Sequence, residues 1–191
     1  PFKSVNIIVM ADNVSDETKE KLEKESSGLD IHYTSIGSSA GTFHNVFMDS
    51  LNLDDDTIVY FLENDYIHAP NAMNALFDGF DIGAHYVTLY DHPDKYISSY
   101  DYGEPTRVMK GNVCHWKMTI STTMTFAAKV STLTEDKDIW IENTGGSYPT
   151  DHKAFTQLRE KGRTLVSPIP GYSTHGETAW LSPFRNWEMI I

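Results

Sequence analysis

The chain has 191 residues, with 27 Asp or Glu against 15 Lys or Arg, which gives a formal net charge of −12. Its contents of 40% hydrophobic and 22% charged residues are typical of a folded globular protein and exclude disordered, fibrous and coiled-coil classes. The acidic balance repels polyanions, so we expect no nucleic acid or anionic membrane as a partner.

The first half of the chain alternates strand and helix patterns. Short apolar, β-branched runs predict strands at residues 5–11, 31–36, 57–62 and 85–90. Helical spacing or an N-cap pattern predicts helices between them, near Ser15, Phe43 and Pro70. The third run is almost continuously apolar, so we expect it in the middle of the sheet. This order predicts an α/β fold with a mainly parallel central sheet and helices on both faces.

The second half lacks this regular alternation. Residues 92–125 are rich in Tyr, Thr, Ser and Gly at irregular spacing, and a strand is predicted at residues 122–128. A short helix is expected near Asp151, and a last strand at residues 164–167. We therefore predict a single domain over residues 1–191 whose second half is loop-rich and mixed.

The cysteine content and the apolar runs indicate the compartment. Cys114 is the single cysteine and has no internal disulfide partner, which predicts a small buried thiol in a reducing environment. The most apolar stretches are far shorter than a bilayer span, and no basic segment precedes a signal-type run. We expect a cytoplasmic protein without a membrane span.

Polar residues directly after the predicted strands are the first candidates for a ligand site, because ligands of open α/β sheets bind beyond the carboxyl ends of the strands. These residues are Asp12, Asn13, residues 35–39 and residues 63–65. Glu63 and Asp65 point to the same side of an extended chain, and two carboxylates suit a divalent cation that also binds substrate phosphates. A solvated turn is the alternative interpretation. The acidic triplet Asp54–Asp56 precedes its strand and therefore lies at the opposite end of the sheet.

The acid-x-acid pattern after an apolar strand, with two strand–helix units before it, resembles the Asp-x-Asp motif of glycosyltransferases of the GT-A, Rossmann-like fold. In that family the motif binds Mn²⁺ or Mg²⁺ and the diphosphate of a nucleotide sugar. Here Glu63 replaces the first Asp. The resemblance covers most of the chain and implies a nucleotide-binding half at residues 1–91 and an acceptor-binding, catalytic half at residues 92–191. The segments 173–175 and 181–187 look like those of small glycosyltransferase domains of large algal (chlorella) viruses.

The resemblance also implies roles for individual residues. A metal site would contain Glu63, Asp65 and His175. Asp151, at the start of a predicted helix, would be the general base of an inverting enzyme. Residues that would bind the nucleotide sugar are Ala11, Asp12, Asn13, Ser35, Ser38, Asn64 and Lys110. A UDP-sugar is the expected donor, and a saccharide hydroxyl is the expected acceptor.

Each of these roles has a structural alternative. Asp151 could only cap its helix, and His175 could be an ordinary loop histidine. Lys110 could be a surface charge. Aromatic side chains of the second half could stack on a sugar or simply pack the fold: Tyr100, Tyr102, Trp116, Trp140 and Trp180.

Two other functions remain open at this point. A sugar nucleotidyltransferase of the same fold usually carries a glycine-rich, basic loop after its first strand, where this chain has Asp12–Asp16. A carbohydrate-binding module would use the acidic pair for no chemistry. Metal-dependent turnover of the donor would distinguish a transferase from such a module.

Overall fold

The computed structural model describes residues 4–97 and 106–190. Tyr100 and Tyr102 lie outside the described residues. The strands within them are β1 (Ile8–Asp12), β2 (Asp30–Thr34), β3 (Ile58–Phe61), β4 (Tyr66–His68), β5 (Tyr86–Val87), β6 (Val108–Lys110), β7 (His115–Thr119), β8 (Phe126–Lys129), β9 (Leu165–Ile169) and β10 (Ser173–His175). The α-helices are α1 (Asp16–Glu25), α2 (Ser39–Ser50), α3 (Ala72–Asp81), α4 (Val130–Glu135), α5 (Lys137–Asn143) and α6 (Asp151–Glu160). In neither described range does a helix combine the length and hydropathy that a bilayer span requires.

A six-stranded sheet in the order β3-β8-β5-β9-β7-β6 forms the centre of the fold. Only β5 and β9 run parallel in it, and the other neighbours are antiparallel. The α/β class is confirmed, but the prediction of a mainly parallel sheet is wrong. β1 and β2 form a separate pair outside this sheet, and β8, from the irregular second half, enters antiparallel between β3 and β5. The most apolar strand, β3, lies at one edge of this sheet and not in its middle.

Two smaller strand pairs flank this sheet. β1 and β2 pair in parallel, from Ile8 opposite Asp30 to Asp12 opposite Thr34. β4 and β10 pair antiparallel, with His175 opposite Tyr66. The second pair places a histidine of the last strand beside the turn that follows β3.

Helices cover both faces of the central sheet, as the sequence predicts. On one face, α2, α5 and α6 contribute to an aromatic core in which Phe126 stacks on Trp140 at 4.7 Å between ring centroids. On the other face, Leu76 of α3 packs against Val87 and Trp116. Trp116 and Trp140 are fully buried. Both therefore pack the core, and the alternative that they stack on a sugar is wrong for these two residues.

Asp136 is a buried carboxylate next to the C-terminal end of α6. It accepts hydrogen bonds from the Tyr86 hydroxyl at 2.8 Å, from Lys161 Nζ at 2.6 Å and from Arg163 Nε at 2.9 Å. Lys161 and Arg163 follow α6 directly. The end of this helix is thus tied to the start of α5 and to the sheet.

Asp78 connects α3 to the turn between β6 and β7. Its carboxylate, in a residue only 3% exposed, accepts hydrogen bonds from Asn112 N–H (2.6 Å), Val113 N–H (3.2 Å) and Trp116 Nε1–H (2.8 Å). A Cβ atom at Gly111 would collide with the same carboxylate, so glycine is required for this close approach. Two backbone N–H groups of the turn and the indole N–H of Trp116 therefore depend on the Asp78 carboxylate as their acceptor.

We expect Asp78→Ala to lower the free energy of unfolding by about 3 kcal/mol, because it leaves buried donors without an acceptor. Burial raises the pKa of Asp78, but the hydrogen bonds from Trp116, Asn112 and Val113 outweigh this effect and hold it below its usual value. The stabilisation is therefore present above the unfolded-state pKa of about 3.9 and is lost as the pH falls through the lower folded-state pKa. Urea unfolding at neutral and acidic pH measures both effects. Asp81→Ala, an exposed change on the same helix, is the control, and equal stability of the two variants would contradict the prediction.

Candidate functional site

The turn at residues 63–65 joins β3 to β4 and lies against the end of β10. Oδ2 of Asp65 is 3.0 Å from Nε2 of His175, and the backbone carbonyl of Asp65 accepts the N–H of Gly176 at 2.7 Å. A Cβ atom at Gly176 would lie 3.0 Å from that carbonyl oxygen, tighter than most such contacts. The strand pairing and the small residue together bring Asp65 and His175, distant in sequence, into direct contact.

The hydrogen bonds of His175 define its tautomer. Its Nδ1 accepts the backbone N–H of Glu177 at 3.0 Å and is therefore unprotonated. The ring proton of the neutral imidazole is then on Nε2, where it is donated to Asp65. A metal ligand at Nε2 would need that lone pair free and the proton on Nδ1, which the Glu177 N–H opposes. As placed, His175 positions Asp65 and is not the ready metal ligand that the resemblance implies.

Glu63 lies in the same electrostatic environment. Partial burial raises the pKa of Glu63, repulsion from Asp65 and Asp151 raises it further, and His175 opposes the shift. Carboxylates from two separate segments thus act on one another, which is the arrangement that a cation would stabilise. Carboxylate oxygens are also the ligands that Mg²⁺ and Mn²⁺ prefer. Within residues 4–97 and 106–190, no three His, Cys, Asp or Glu side chains are already spaced to hold a metal ion.

Asp151 is the first residue of α6, but its carboxylate binds backbone groups of a different segment, residues 122–123. Its Oδ2 accepts the backbone N–H groups of Thr122 and Thr123, each at 3.0 Å. Thr123 and Met124 both have a left-handed backbone, with φ of 51° and 61°. Such conformations are rare for a β-branched residue, so the carboxylate stabilises a strained turn. Both bonds use Oδ2, which leaves Oδ1 for another proton donor.

Tyr66 connects the strained turn to the acidic residues, and no sequence pattern singles it out. Its hydroxyl lies 2.5 Å from Thr123 Oγ1, and its ring packs edge-on against His175 at 5.5 Å. Burial raises the pKa of Tyr66 to about 12, so the hydroxyl is protonated at neutral pH. Tyrosine at the first position of a strand is common, and only the strand pairing reveals this contact.

Asp12 forms the second part of the candidate site, at the carboxyl ends of β1 and β2. Its two oxygens accept hydrogen bonds from the Thr34 hydroxyl (2.9 Å), Ile36 N–H (2.6 Å) and Gly37 N–H (2.8 Å). Burial raises the pKa of Asp12, but these bonds outweigh it and hold the pKa below its usual value. The carboxylate therefore shapes the loop after β2 and has little capacity left for a ligand.

The other predicted nucleoside-binding residues surround Asp12. Ala11 is buried, Asn13 has a left-handed φ of 53°, and Ser35 is exposed. The Ser38 side chain caps α2 by accepting a backbone N–H of its first turn at 3.1 Å. Because β1 and β2 are parallel and in register, these residues lie near one another beyond the carboxyl ends of the two strands.

The structure separates Lys110 from the rest of the predicted site. Asn64 is exposed in the turn between Glu63 and Asp65, as expected. Lys110 ends β6, at the edge of the central sheet opposite to β3. Five strand spacings separate β6 from β3, which is roughly 24 Å. One ligand phosphate cannot contact both Lys110 and the turn after β3 across this distance. Lys110 therefore lies at the opposite edge of the central sheet from Glu63 and Asp65, a separation that the sequence does not reveal because it does not specify the strand order.

Cys114 is less buried than the small buried thiol that the sequence predicts. It is half-buried near the turn between β6 and β7. Burial raises the pKa of the Cys114 thiol to about 12, and Asp78 contributes to the same shift. The thiol is therefore protonated and inert at neutral pH.

The described residues thus combine an acidic centre around Glu63, Asp65 and Asp151 with a separate loop region around Asp12. No family model matches the sequence, and a comparison with curated proteins finds no match.

Proposed function

We propose that this protein is a divalent-cation-dependent glycosyltransferase of the GT-A fold, which transfers a sugar from a UDP-sugar to a saccharide hydroxyl with inversion at the anomeric carbon. One observation carries the proposal. Asp65, in the same turn as Glu63, and Asp151, from a distant part of the chain, both raise the pKa of the partly buried Glu63, and His175 contacts Asp65 directly. Such a concentration of carboxylates is unfavourable unless a cation or a proton compensates it.

The carboxylates of Glu63 and Asp65 would hold the cation, Mn²⁺ or Mg²⁺, with diphosphate oxygens in the remaining positions. When bound, it would neutralise the charge that develops on the leaving diphosphate. His175 keeps Asp65 oriented in the present arrangement. It would become a third ligand only if its proton moved to Nδ1 and the hydrogen bond from Glu177 were lost.

Asp151 would accept the proton of the attacking hydroxyl. Oδ2 is held by two backbone N–H groups, so the carboxylate has a fixed orientation, and Oδ1 is the oxygen available to the acceptor. A base held in place by backbone groups does not have to be ordered during the reaction. A single displacement with this base inverts the anomeric configuration.

The loop region around Asp12 would receive the nucleoside. Ser39, at the start of α2, lies 3.5 Å from the carbonyl oxygen of Ser147, in the segment that leads to Asp151. The nucleoside loops and the base thus border the same region. The charged group of Asp12 would act on the nucleoside indirectly, by shaping the loop at residues 34–37.

Calorimetry with UDP tests the proposal. We expect binding to be at least about tenfold tighter with Mn²⁺ than with chelator, because a phosphate charge and a bare carboxylate about 4 Å apart repel by roughly 4 kcal/mol at an effective dielectric constant near 20. Asp56→Ala is the control, since this exposed carboxylate precedes β3 and pairs with Lys129 at the surface, and its UDP affinity in Mn²⁺ should equal that of wild type. Equal UDP affinity with and without Mn²⁺ would overturn the cation-dependent mechanism.

A further inference from the structure

Phe184 is a large aromatic residue held in an unfavourable position. Its side chain belongs to a residue that is 73% exposed, and its backbone has a left-handed φ of 66°. Both the strained backbone and the exposed ring cost free energy, and glycine or asparagine, which tolerate a left-handed backbone, would lower both costs. Among the described residues, the Phe184 ring is in neither hydrophobic core cluster and its ring contact is at the surface with Tyr96, which points to a use outside the fold.

Tyr96 forms the second ring at this place. The rings of Tyr96 and Phe184 pack edge to face with centroids 5.5 Å apart, and Tyr96 is itself 45% exposed. Its hydroxyl donates to the buried carboxylate of Asp91 at 2.6 Å, and Lys117 Nζ lies 4.3 Å from the ring centroid. Asp91 and Lys117 also form a buried ion pair. Tyr96 is therefore held by the buried Asp91 and Lys117 side chains, while part of its ring faces solvent.

A row of aromatic side chains leads from the acidic centre toward this pair of rings. Successive centroids are 5.5, 5.4 and 5.0 Å apart along His175, Tyr66, Tyr90 and His92. Asp91, which holds Tyr96, lies between Tyr90 and His92 in the chain. The exposed rings are thus attached to the same rigid frame as the proposed transfer site.

We propose that Phe184 and Tyr96 form a saccharide subsite in which the apolar C–H face of a pyranose stacks on the Phe184 ring. An exposed aromatic pair, one ring of which is held by Asp91 and Lys117, offers apolar contact area, whereas hydroxyl groups at the rim of the sugar stay in water. A protein partner is disfavoured because two rings are a small part of the ~1,000 Å² that a specific interface needs. The inference rests on the proposed glycosyltransferase function for making this saccharide the acceptor.

NMR titration of the protein with methyl glycosides of glucose, galactose, mannose, xylose and rhamnose, without donor or metal, tests the subsite. At least one glycoside is expected to shift the ring resonances of Phe184 and Tyr96. Phe184→Asn, which suits a left-handed backbone, should weaken its binding about tenfold, and Phe184→Trp should retain it. Tyr148→Ala removes an equally exposed ring elsewhere, in a residue 78% exposed, and should leave the affinity unchanged.

The outcomes separate this inference from the proposed function. No binding of any glycoside, or equal affinity in wild type and Phe184→Asn, overturns the subsite. UDP binding with Mn²⁺ should be the same in Phe184→Asn as in wild type, which shows that the fold and the donor site are intact. If glycoside binding depends on Phe184 but UDP does not bind, the saccharide subsite stands and its role as a transferase acceptor site is overturned.

Discussion

Asp65→Ala is expected to abolish sugar transfer while the protein remains folded. The change removes one of the two carboxylates proposed to hold the cation, and stabilisation of developing charge usually contributes about 10²–10³-fold to turnover. UDP affinity in Mn²⁺ should fall to the value measured with chelator. The Asp65 side chain is 47% exposed and its partner His175 is close to water, so the free energy of unfolding should change by less than about 1 kcal/mol.

Transfer assays, calorimetry and urea unfolding of Asp65→Ala give these three quantities. Asp56→Ala is again the control, because it removes an exposed carboxylate at the other end of β3. A fully active Asp65→Ala enzyme would exclude the cation site at this turn. Loss of activity together with a large loss of stability would instead show that the Asp65–His175 contact mainly supports the fold.

For Asp151 we expect the chemical step and the stability to respond to different substitutions. Asp151→Asn keeps an oxygen that can accept the N–H groups of Thr122 and Thr123, but it is no longer a base. Its kcat should fall by roughly 10²–10⁴-fold with little change in UDP affinity or stability. Asp151→Ala also loses the two hydrogen bonds, so its free energy of unfolding should be about 1–3 kcal/mol lower.

Steady-state kinetics and urea unfolding of both variants distinguish the two roles of Asp151. Product analysis by NMR adds the stereochemistry, since a single displacement with this base must invert the anomeric centre. Full activity of Asp151→Asn, or a retained configuration, would exclude Asp151 as the base. A merely structural carboxylate would give an active Asn variant and an unstable Ala variant.

Most helices and strands of the first half could be predicted because their patterns are local, although β4 was missed. The N-cap of α1 is Ser15, whose side chain accepts the N–H of Thr18, and Ser38 caps α2. The strand directions could not be predicted, because the alternating patterns carry no information on pairing partners. β8 follows a turn of unusual backbone conformation at Thr123 and Met124, and it enters the sheet between β3 and β5 in the opposite direction.

The same limit applies to the candidate site. Residues that directly follow strands, such as Glu63 and Asp65, could be placed at the end of β3 from the sequence, because their position depends on one strand only. Placing Lys110 required the order of the whole sheet, and the sequence does not contain it in a readable form. The tautomer of His175 depends on the N–H of Glu177, two residues away, which no motif specifies.

Helix α6 is held at both of its ends by carboxylates. At its start, Asp151 accepts hydrogen bonds from the turn at residues 122–123. Beyond its end, Lys161 and Arg163 donate hydrogen bonds to Asp136. The helix can therefore neither slide along its axis nor pivot about one terminus without breaking charged hydrogen bonds. Any closing motion around a bound substrate has to come from other segments, and α6 acts as the stationary reference against which they move.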